Sequence, residues 1–391
     1  MGSEACGGTA GDAGVNFSSR FHWDLRPNRL SQALAAKRTA GARILDLTES
    51  NPTRADFSYP GEILRAFDDP RMLVYEPNPI GAIGAREAVA AYYAARGEQV
   101  TPDRILLTAS TSEAYSYLFK LLCDPGDEVL VPRPSYQLFE FLAEMESVKV
   151  RQYPLRYHGT WTLDVPEFGP RTRAIVLVNP NNPTGSFVKR GELDALVESC
   201  AAHGIALISD EVFADYGFGS DAGRVTSLAA IEECPAFCMT GLSKVGGLPQ
   251  MKLGWIVGNR PEAMEKLEWI ADTYLSVSTP VQCAAERLLA AGFGVQRQIR
   301  ERTGQNLALA RQMLDGSGGT ILTVEGGWYL TLQVPHVRTE EEWTLELLER
   351  EGVLVQPGFF YDFESEAFLV ISLLTAPAAF REGVNRIRRW L

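Results

Sequence analysis

The pair best suited to covalent chemistry is Ser243-Lys244, at the centre of Thr240-Gly-Leu-Ser-Lys-Val-Gly-Gly-Leu-Pro-Gln-Met-Lys-Leu-Gly-Trp255. One apolar run, Ala236 to Met239, leads into this small-residue turn, and a second, Leu253 to Val257, follows it, so Lys244 belongs at a strand end among glycines. A lysine held in a tight loop at the end of a buried strand loses its water. Its pKa falls and its amine becomes a nucleophile toward carbonyls, the requirement for a Schiff base. Alone, a Ser-Lys pair fits a solvated surface charge equally well, and its weight depends on what the neighbouring strands end in.

Four other stretches of that kind exist. In Thr108-Ala-Ser-Thr-Ser-Glu-Ala114, the hydroxyls of Ser110, Thr111 and Ser112 open a helix, which fits either a phosphate cradle at a helix N-terminus or a plain cap completed by Glu113. Tyr136, in Pro132-Arg-Pro-Ser-Tyr136, follows a strand and suits stacking on a planar ring or ordinary half-buried packing. Asn179-Pro-Asn-Asn-Pro-Thr-Gly185 turns the chain after a buried strand and lets Asn182 offer an amide to a ligand. Asp210, in Ser209-Asp-Glu-Val-Phe-Ala-Asp-Tyr216, ends a buried strand, where a carboxylate stays ionised only beside a cation or else caps a helix. A protonated pyridine nitrogen would be such a cation. Held there, its ring withdraws electrons from an adjacent carbanion, the core of pyridoxal phosphate chemistry.

The elements that carry these residues follow from periodicity. From Arg104 to Val257 short apolar runs (Ile105 to Thr108, Val129 to Val131, Ala174 to Val178, Ile205 to Ile208, Phe237 to Met239, Leu253 to Val257) alternate with amphipathic segments. This predicts an α/β domain whose mostly parallel sheet lies between helices, with ligands beyond the carboxyl ends of the strands. Upstream, helices are expected after Pro27 and over Ile83 to Ala95, with a short strand from Ile44. Downstream, a long helix from about Gln282 to Leu314 leads to a smaller α+β domain with strands at Gly327 to Leu332 and Phe368 to Ser372, and helices over Thr339 to Glu351 and Ala378 to Leu391.

Composition excludes several classes. The 391 residues carry a net charge of −12 without a Lys/Arg-rich block, which argues against nucleic acid or an acidic membrane as partner. Six cysteines and four histidines are scattered, so neither a metal site nor a disulfide framework is expected and a reducing compartment fits. No apolar run reaches the roughly 20 residues of a spanning helix, and the start lacks a signal-peptide pattern. A cytoplasmic protein is expected, with a disordered tail over residues 1–16.

In that order, a hydroxyl-rich loop, an aromatic residue, Asn-Asn-Pro-Thr-Gly, Asp-Glu, and Ser-Lys followed by Lys-Leu-Gly-Trp resemble the fold type I pyridoxal-phosphate enzymes of the class I/II aminotransferase family, from about Ile44 to the C-terminus. The resemblance implies an aspartate aminotransferase-like large domain with a seven-stranded type of sheet. The expected organisation is a tail over 1–16, an N-terminal arm with part of the small domain over 17–52, the large cofactor-binding domain over 53–283 and a C-terminal small domain over 284–391.

It also implies residue roles. Lys244 would bond the cofactor and shuttle a proton, Asp210 would pair with the pyridine nitrogen, Asn182 would hold the phenolic oxygen, and Tyr136 would stack on the ring. Ser110, Thr111, Ser112 and Ser243 would take the phosphate. Tyr75 would reach a neighbouring subunit's phosphate, which implies a homodimer. Ser50, Asn51 and the Gly327-Trp328 loop would meet the substrate.

Three departures stand out. Phe213 replaces the usual tyrosine of Asp-x-x-Tyr, Lys252 replaces a phosphate-binding arginine, and Val370 stands where Arg-Ile-Ser would supply a carboxylate clamp, leaving Arg20, Arg26 and Arg54 as substitutes. The expected activity is transamination between an amino acid or related amine and a 2-oxo acid; a lyase or decarboxylase of the same fold, or a non-catalytic cofactor-binding regulatory module, is the alternative.

Overall fold

The computed structural model describes residues 18–20, 23 and 26–391, so the expected tail over 1–16 lies outside the described residues. Eight strands form the main sheet: Ile105–Thr108, Glu128–Arg133, Lys149–Tyr157, Trp161–Leu163, Thr172–Val178, Ala206–Asp210, Ala236–Gly241 and Gly254–Gly258. Across the sheet they run Ile105–Thr108, Gly254–Gly258, Ala236–Gly241, Ala206–Asp210, Thr172–Val178, Glu128–Arg133, Lys149–Tyr157 and Trp161–Leu163. Neighbours from Ala236–Gly241 to Lys149–Tyr157 pair in parallel, whereas Gly254–Gly258 is antiparallel to both of its neighbours.

The apolar runs named from sequence are the central strands. Side chains alternate across a pleated strand, so a continuous apolar run is needed where helices cover both faces. Here one face packs Leu107, Leu177, Leu207 and Trp255 against the Ile83–Ala95 and Arg190–His203 helices. The other packs Leu106, Val176, Ile208 and Ile256 against the Thr111–Leu122 and Pro261–Tyr274 helices. The eighth strand corrects the seven-stranded expectation. Lys149–Tyr157 and Trp161–Leu163 form the sheet's edge hairpin, and in the former only Tyr153 is fully buried, so its polar residues concealed the strand signal.

Beyond the sheet, the helix Thr279–Leu314 spans 36 residues, about 54 Å at 1.5 Å per residue. Its Ala284 and Leu288 belong to the core of the large sheet, and its Leu307 and Leu314 to that of a second, four-stranded antiparallel sheet built from Thr320–Ile321, Tyr329–Gln333, Phe368–Ser372 and Gln356–Pro357. The expected boundary at residues 283 and 284 thus falls inside one continuous helix. Leu45–Asp46 pairs in parallel with Val353–Leu354 in a separate two-stranded ladder, and Leu45 and Val353 join the core under the second sheet.

Close packing at the sheet's ligand edge leaves little room for a side chain at Gly254. A Cβ there would stand 3.1 Å from both the Ser110 carbonyl carbon and Thr108 Oγ1, between the lysine-bearing strand and the hydroxyl loop. Gly254→Ala is therefore expected to cost about 1–3 kcal/mol through overpacking and to lower the thermal midpoint by several degrees in a melt followed by circular dichroism.

Candidate active site

The carboxyl ends of the parallel strands converge on one cleft of about 800 Å³, lined by Ser50, Thr111, Ser112, Tyr136, Asn182, Asp210, Phe213, Ser243 and Lys244, nine of the residues singled out from sequence. Lys244 lies on the single helical turn Leu242–Val245 that follows the strand Ala236–Gly241. Three side chains fasten that turn by donating to its backbone: Tyr216 OH to Lys244 O at 2.5 Å, Gln296 Nε2 to Val245 O at 2.9 Å and Tyr59 OH to Gly247 O at 2.7 Å. Carbonyls at a helix end have no partner within the helix, and these donors supply one while pinning the lysine's backbone.

The side chain of Lys244 is drawn away from bulk water, which lowers its pKa from 10.5 to about 8 even though the Asp210 carboxylate pulls the other way. Asp210, last residue of its strand, moves oppositely. Burial raises its pKa to about 6, against the hydrogen bonds it accepts from Val212 N at 3.2 Å and Tyr115 OH at 3.1 Å. A carboxyl group and an amine whose pKa values are both displaced toward neutrality share one cleft, the pattern expected where proton transfer is the task.

The hydroxyl loop divides its labour. Ser110 caps the helix Thr111–Leu122, its Oγ accepting from Glu113 N at 3.2 Å, while Glu113 Oε2 accepts from Ala109 N at 2.7 Å. That leaves Thr111 and Ser112, which line the cleft, at the positive end of the helix dipole. The cap reading therefore holds for Ser110, and Thr111 and Ser112 are left open to the cleft.

The remaining singled-out residues do not line the cleft. Ser110 is occupied as the cap. The Asn51 side chain caps the turn Pro52–Arg54, accepting from Thr53 N at 3.0 Å, and Arg54 on that turn is exposed. Arg20 and Arg26 are exposed, and Lys252 is exposed in a left-handed conformation. Tyr75 is 72% exposed and lines a separate surface groove with Asn78, Leu275 and Gln282.

Trp328 is fully buried behind Lys244, whereas its neighbour Tyr329 faces the cleft. Alternation along the chain separates the two. Val370 is 1% exposed and packs with Phe213, Trp328, Tyr329, Tyr361 and Leu374, so this strand presents an aromatic and aliphatic wall where a clamp was expected. Lys244 is the only Lys or Arg among the described residues that line the cleft.

Sequence reasoning missed Tyr115, which holds Asp210, and Tyr329. Tyr115 follows Thr111 by four residues, one helical turn, so that spacing could have marked it as facing the same cleft.

A lysine turn, a strand-end carboxylate and a helix N-terminus gathered on a mostly parallel sheet define a pyridoxal-phosphate enzyme of the aminotransferase fold. The family model for aminotransferase class I and II matches residues 46–387, and the chain belongs to that family: it is an aminotransferase with pyridoxal phosphate as cofactor.

The arginine–pyruvate transaminase AruH of Pseudomonas aeruginosa is 28% identical over 93% of both chains, and the glutamate–pyruvate aminotransferase AlaA of Escherichia coli K12 is 27% identical over 90% of this chain and 91% of its own. Among solved structures, alanine aminotransferase from Pyrococcus furiosus superposes with a TM-score of 0.84 over 92% of this chain and 95% of its own, at 23% identity. A Thermus thermophilus aspartate aminotransferase mutant gives 0.81 over 96% and 100%, at 25% identity.

The residues present fit the cofactor. Asp210 is a half-buried carboxylate facing the cleft, Thr111 and Ser112 open a helix toward the cleft, and Asn182 Oδ1 is buried without a partner, leaving an amide free to meet a ring substituent by either of its ends.

Proposed function

We propose that Lys244, Asp210, Asn182, Tyr136 and the Thr111/Ser112 loop perform a two-stage transamination between an amino compound and an oxo acid. When bound, pyridoxal phosphate supplies a carbonyl for the lysine amine and an electron sink for the carbon that bears the substrate's amino group. Lys244 Nζ is the base that receives the proton from that carbon and returns it in the reverse half-reaction. Asp210, held by Tyr115, would keep the pyridine nitrogen protonated, and Asn182 would orient the ring through its amide. Tyr136 would stack on the ring, and Thr111, Ser112 and Ser243 would hold the phosphate with hydroxyls and helix-end N–H groups. Phe213 closes the ring's surroundings without a hydroxyl.

The observation that carries this reading is the opposed displacement of Lys244 and Asp210 in one cleft. Substrate contacts are assigned to Ser50 and Tyr329, which line the same cleft.

Purified protein given the cofactor is expected to be yellow, and borohydride is expected to fix the chromophore on the peptide containing Lys244. A panel of amino donors should then bleach the band with transfer of the amino group; release of ammonia or carbon dioxide instead would identify a lyase, and protein that stays colourless with added cofactor would refute the reading.

We further propose a cytoplasmic homodimer whose large domain ends near residue 283. Support for the dimer comes from large apolar side chains left exposed, Leu73, Val74, Tyr75, Ile83, Trp269 and Tyr274. Free cysteines at 123, 200, 234, 238 and 283 suit a reducing compartment. Among the described residues no helix is long and apolar enough to cross a membrane.

A further inference from the structure

The wall behind Lys244 is aromatic. Its Nζ lies 4.5 Å from the centroid of the Trp328 ring and 5.6 Å from that of Phe213. The two rings meet edge to face with centroids 5.2 Å apart, and Tyr216 closes on the indole from another side, also at 5.2 Å. Trp328 is fully buried and its Nε1 has no hydrogen-bond partner, so packing alone sets the ring's position. The loop that carries it is stitched to the Tyr216 segment: Gly327 N donates to Tyr216 O at 3.0 Å, and Phe218 N donates to Glu325 O at 2.7 Å. Tyr216 also fastens the Lys244 carbonyl, so one side chain locates both the lysine's backbone and the ring beneath its amine.

We propose that Trp328 is a further catalytic residue: its π face, with Phe213 beside it, is the seat on which the Lys244 amine rests when it is free and where its ammonium form is stabilised while it carries the substrate proton. The proposal builds on Lys244 as proton carrier. An ammonium without water in an apolar site is expensive, and the negative face of an indole offsets that cost without offering a hydrogen-bond acceptor that would trap the proton.

The proton balance is simple. Nζ, neutral after release, takes one proton from the amino-bearing carbon, is cationic over Trp328, and surrenders the same proton on transfer. The other groups facing the amine are Asp210, whose negative form favours the ammonium, and Tyr115, hydrogen-bonded to Asp210. Tyr216 faces the lysine's carbonyl. The deeper Asp215 is answered by Arg96 at 3.7 Å. Burial and Asp210 oppose each other in placing the amine near pH 8, and the indole adds to the side of the cation.

The test needs no cofactor turnover. In protein freed of cofactor, acylation of Lys244 by an amine-directed reagent, read by peptide mass spectrometry across pH 6–10, reports the fraction of neutral amine. Trp328→Leu, which keeps an apolar wall but removes the π face, is expected to move the midpoint down from about 8 by about 0.5–1 pH unit, so that labelling at pH 7 accelerates about 2.5-fold to 5-fold. Trp328→Phe should fall between leucine and wild type, and it decides the matter if the leucine variant does not fold. Unchanged or upward-moving midpoints overturn the cage. Because this readout is taken without cofactor, its failure is distinct from failure of the borohydride experiment, which bears on the cofactor reading itself.

Discussion

Lys244→Ala is expected to reduce turnover by about 10⁴-fold or more, because one substitution removes both the nucleophile and the proton carrier, and positioned acid–base groups alone contribute about 10²–10⁴-fold. The loss should fall on kcat rather than on donor affinity, since Ser50 and Tyr329, the residues assigned to the substrate, are untouched. Steady-state kinetics with the best donor of the panel measures it.

Lys244→Arg is the sharper control. It keeps a cation over Trp328 and the backbone bonds from Tyr216 and Gln296, yet a guanidinium does not give up its proton near neutral pH. It should therefore be folded, bind cofactor without borohydride-stable attachment, and be as inactive as the alanine variant. Substantial turnover by either variant would remove Lys244 from the mechanism.

Asp210→Asn is expected to lower kcat/KM by about 10²–10³-fold, because it takes the charge from a buried pair and leaves the ring nitrogen's proton without a partner. Asp210→Glu should recover part of the loss, and a fully active asparagine variant would show that no charge is needed at this strand end.

The same residue makes a pH prediction. Burial raises its folded-state pKa from 3.8 to about 6, so the cofactor-free folded chain holds this proton more tightly than the unfolded chain does. The stabilisation is complete below about pH 4 and is lost as pH rises through 6, on the order of 3 kcal/mol for this group alone. Urea unfolding of cofactor-free protein should therefore show the wild type losing stability relative to Asp210→Asn between pH 4 and 7. Buried Asp215, also displaced upward, is common to both proteins and cancels from the difference, whereas Glu211, whose charge raises Asp210, is relieved by the substitution and adds to it. Parallel curves would refute the assignment of Asp210 as the strained carboxylate.

Local signals made the central architecture legible. Val176, Leu207 and Met239 sit in continuous apolar runs because strands covered on both faces tolerate little else. The Ile83–Ala95 helix follows its apolar spacing to the residue. The long helix begins at Thr279, three residues before the start read from sequence. The edge hairpin escaped notice because Lys149, Arg151 and Arg156 are permitted where one flank of a strand lacks a neighbour.

The site shows the same division. Lys244, Asp210 and Asn182 were recognisable because their neighbours in sequence (glycines, a buried strand, prolines) set their backbone positions. Trp328 and Tyr329 were not separable in this way: both are aromatic, they are adjacent, and which one meets the cleft depends on how the second sheet docks.

The sequence by itself determined the kind of chemistry, since a lysine among glycines, an acid at the end of an apolar run and hydroxyls at a helix start are each specified by local chain properties. Tertiary structure alone decided how those groups are tuned. Burial shifts Lys244 and Asp210 toward each other, Tyr115 arrives from another helix to hold the acid, and Trp328, just before the strand Tyr329–Gln333, and Val370, on the paired strand Phe368–Ser372, close the back wall from more than eighty residues further along the chain. Desolvation and ring contact depend on what surrounds a side chain in space, and the order of residues along a chain does not encode that locally.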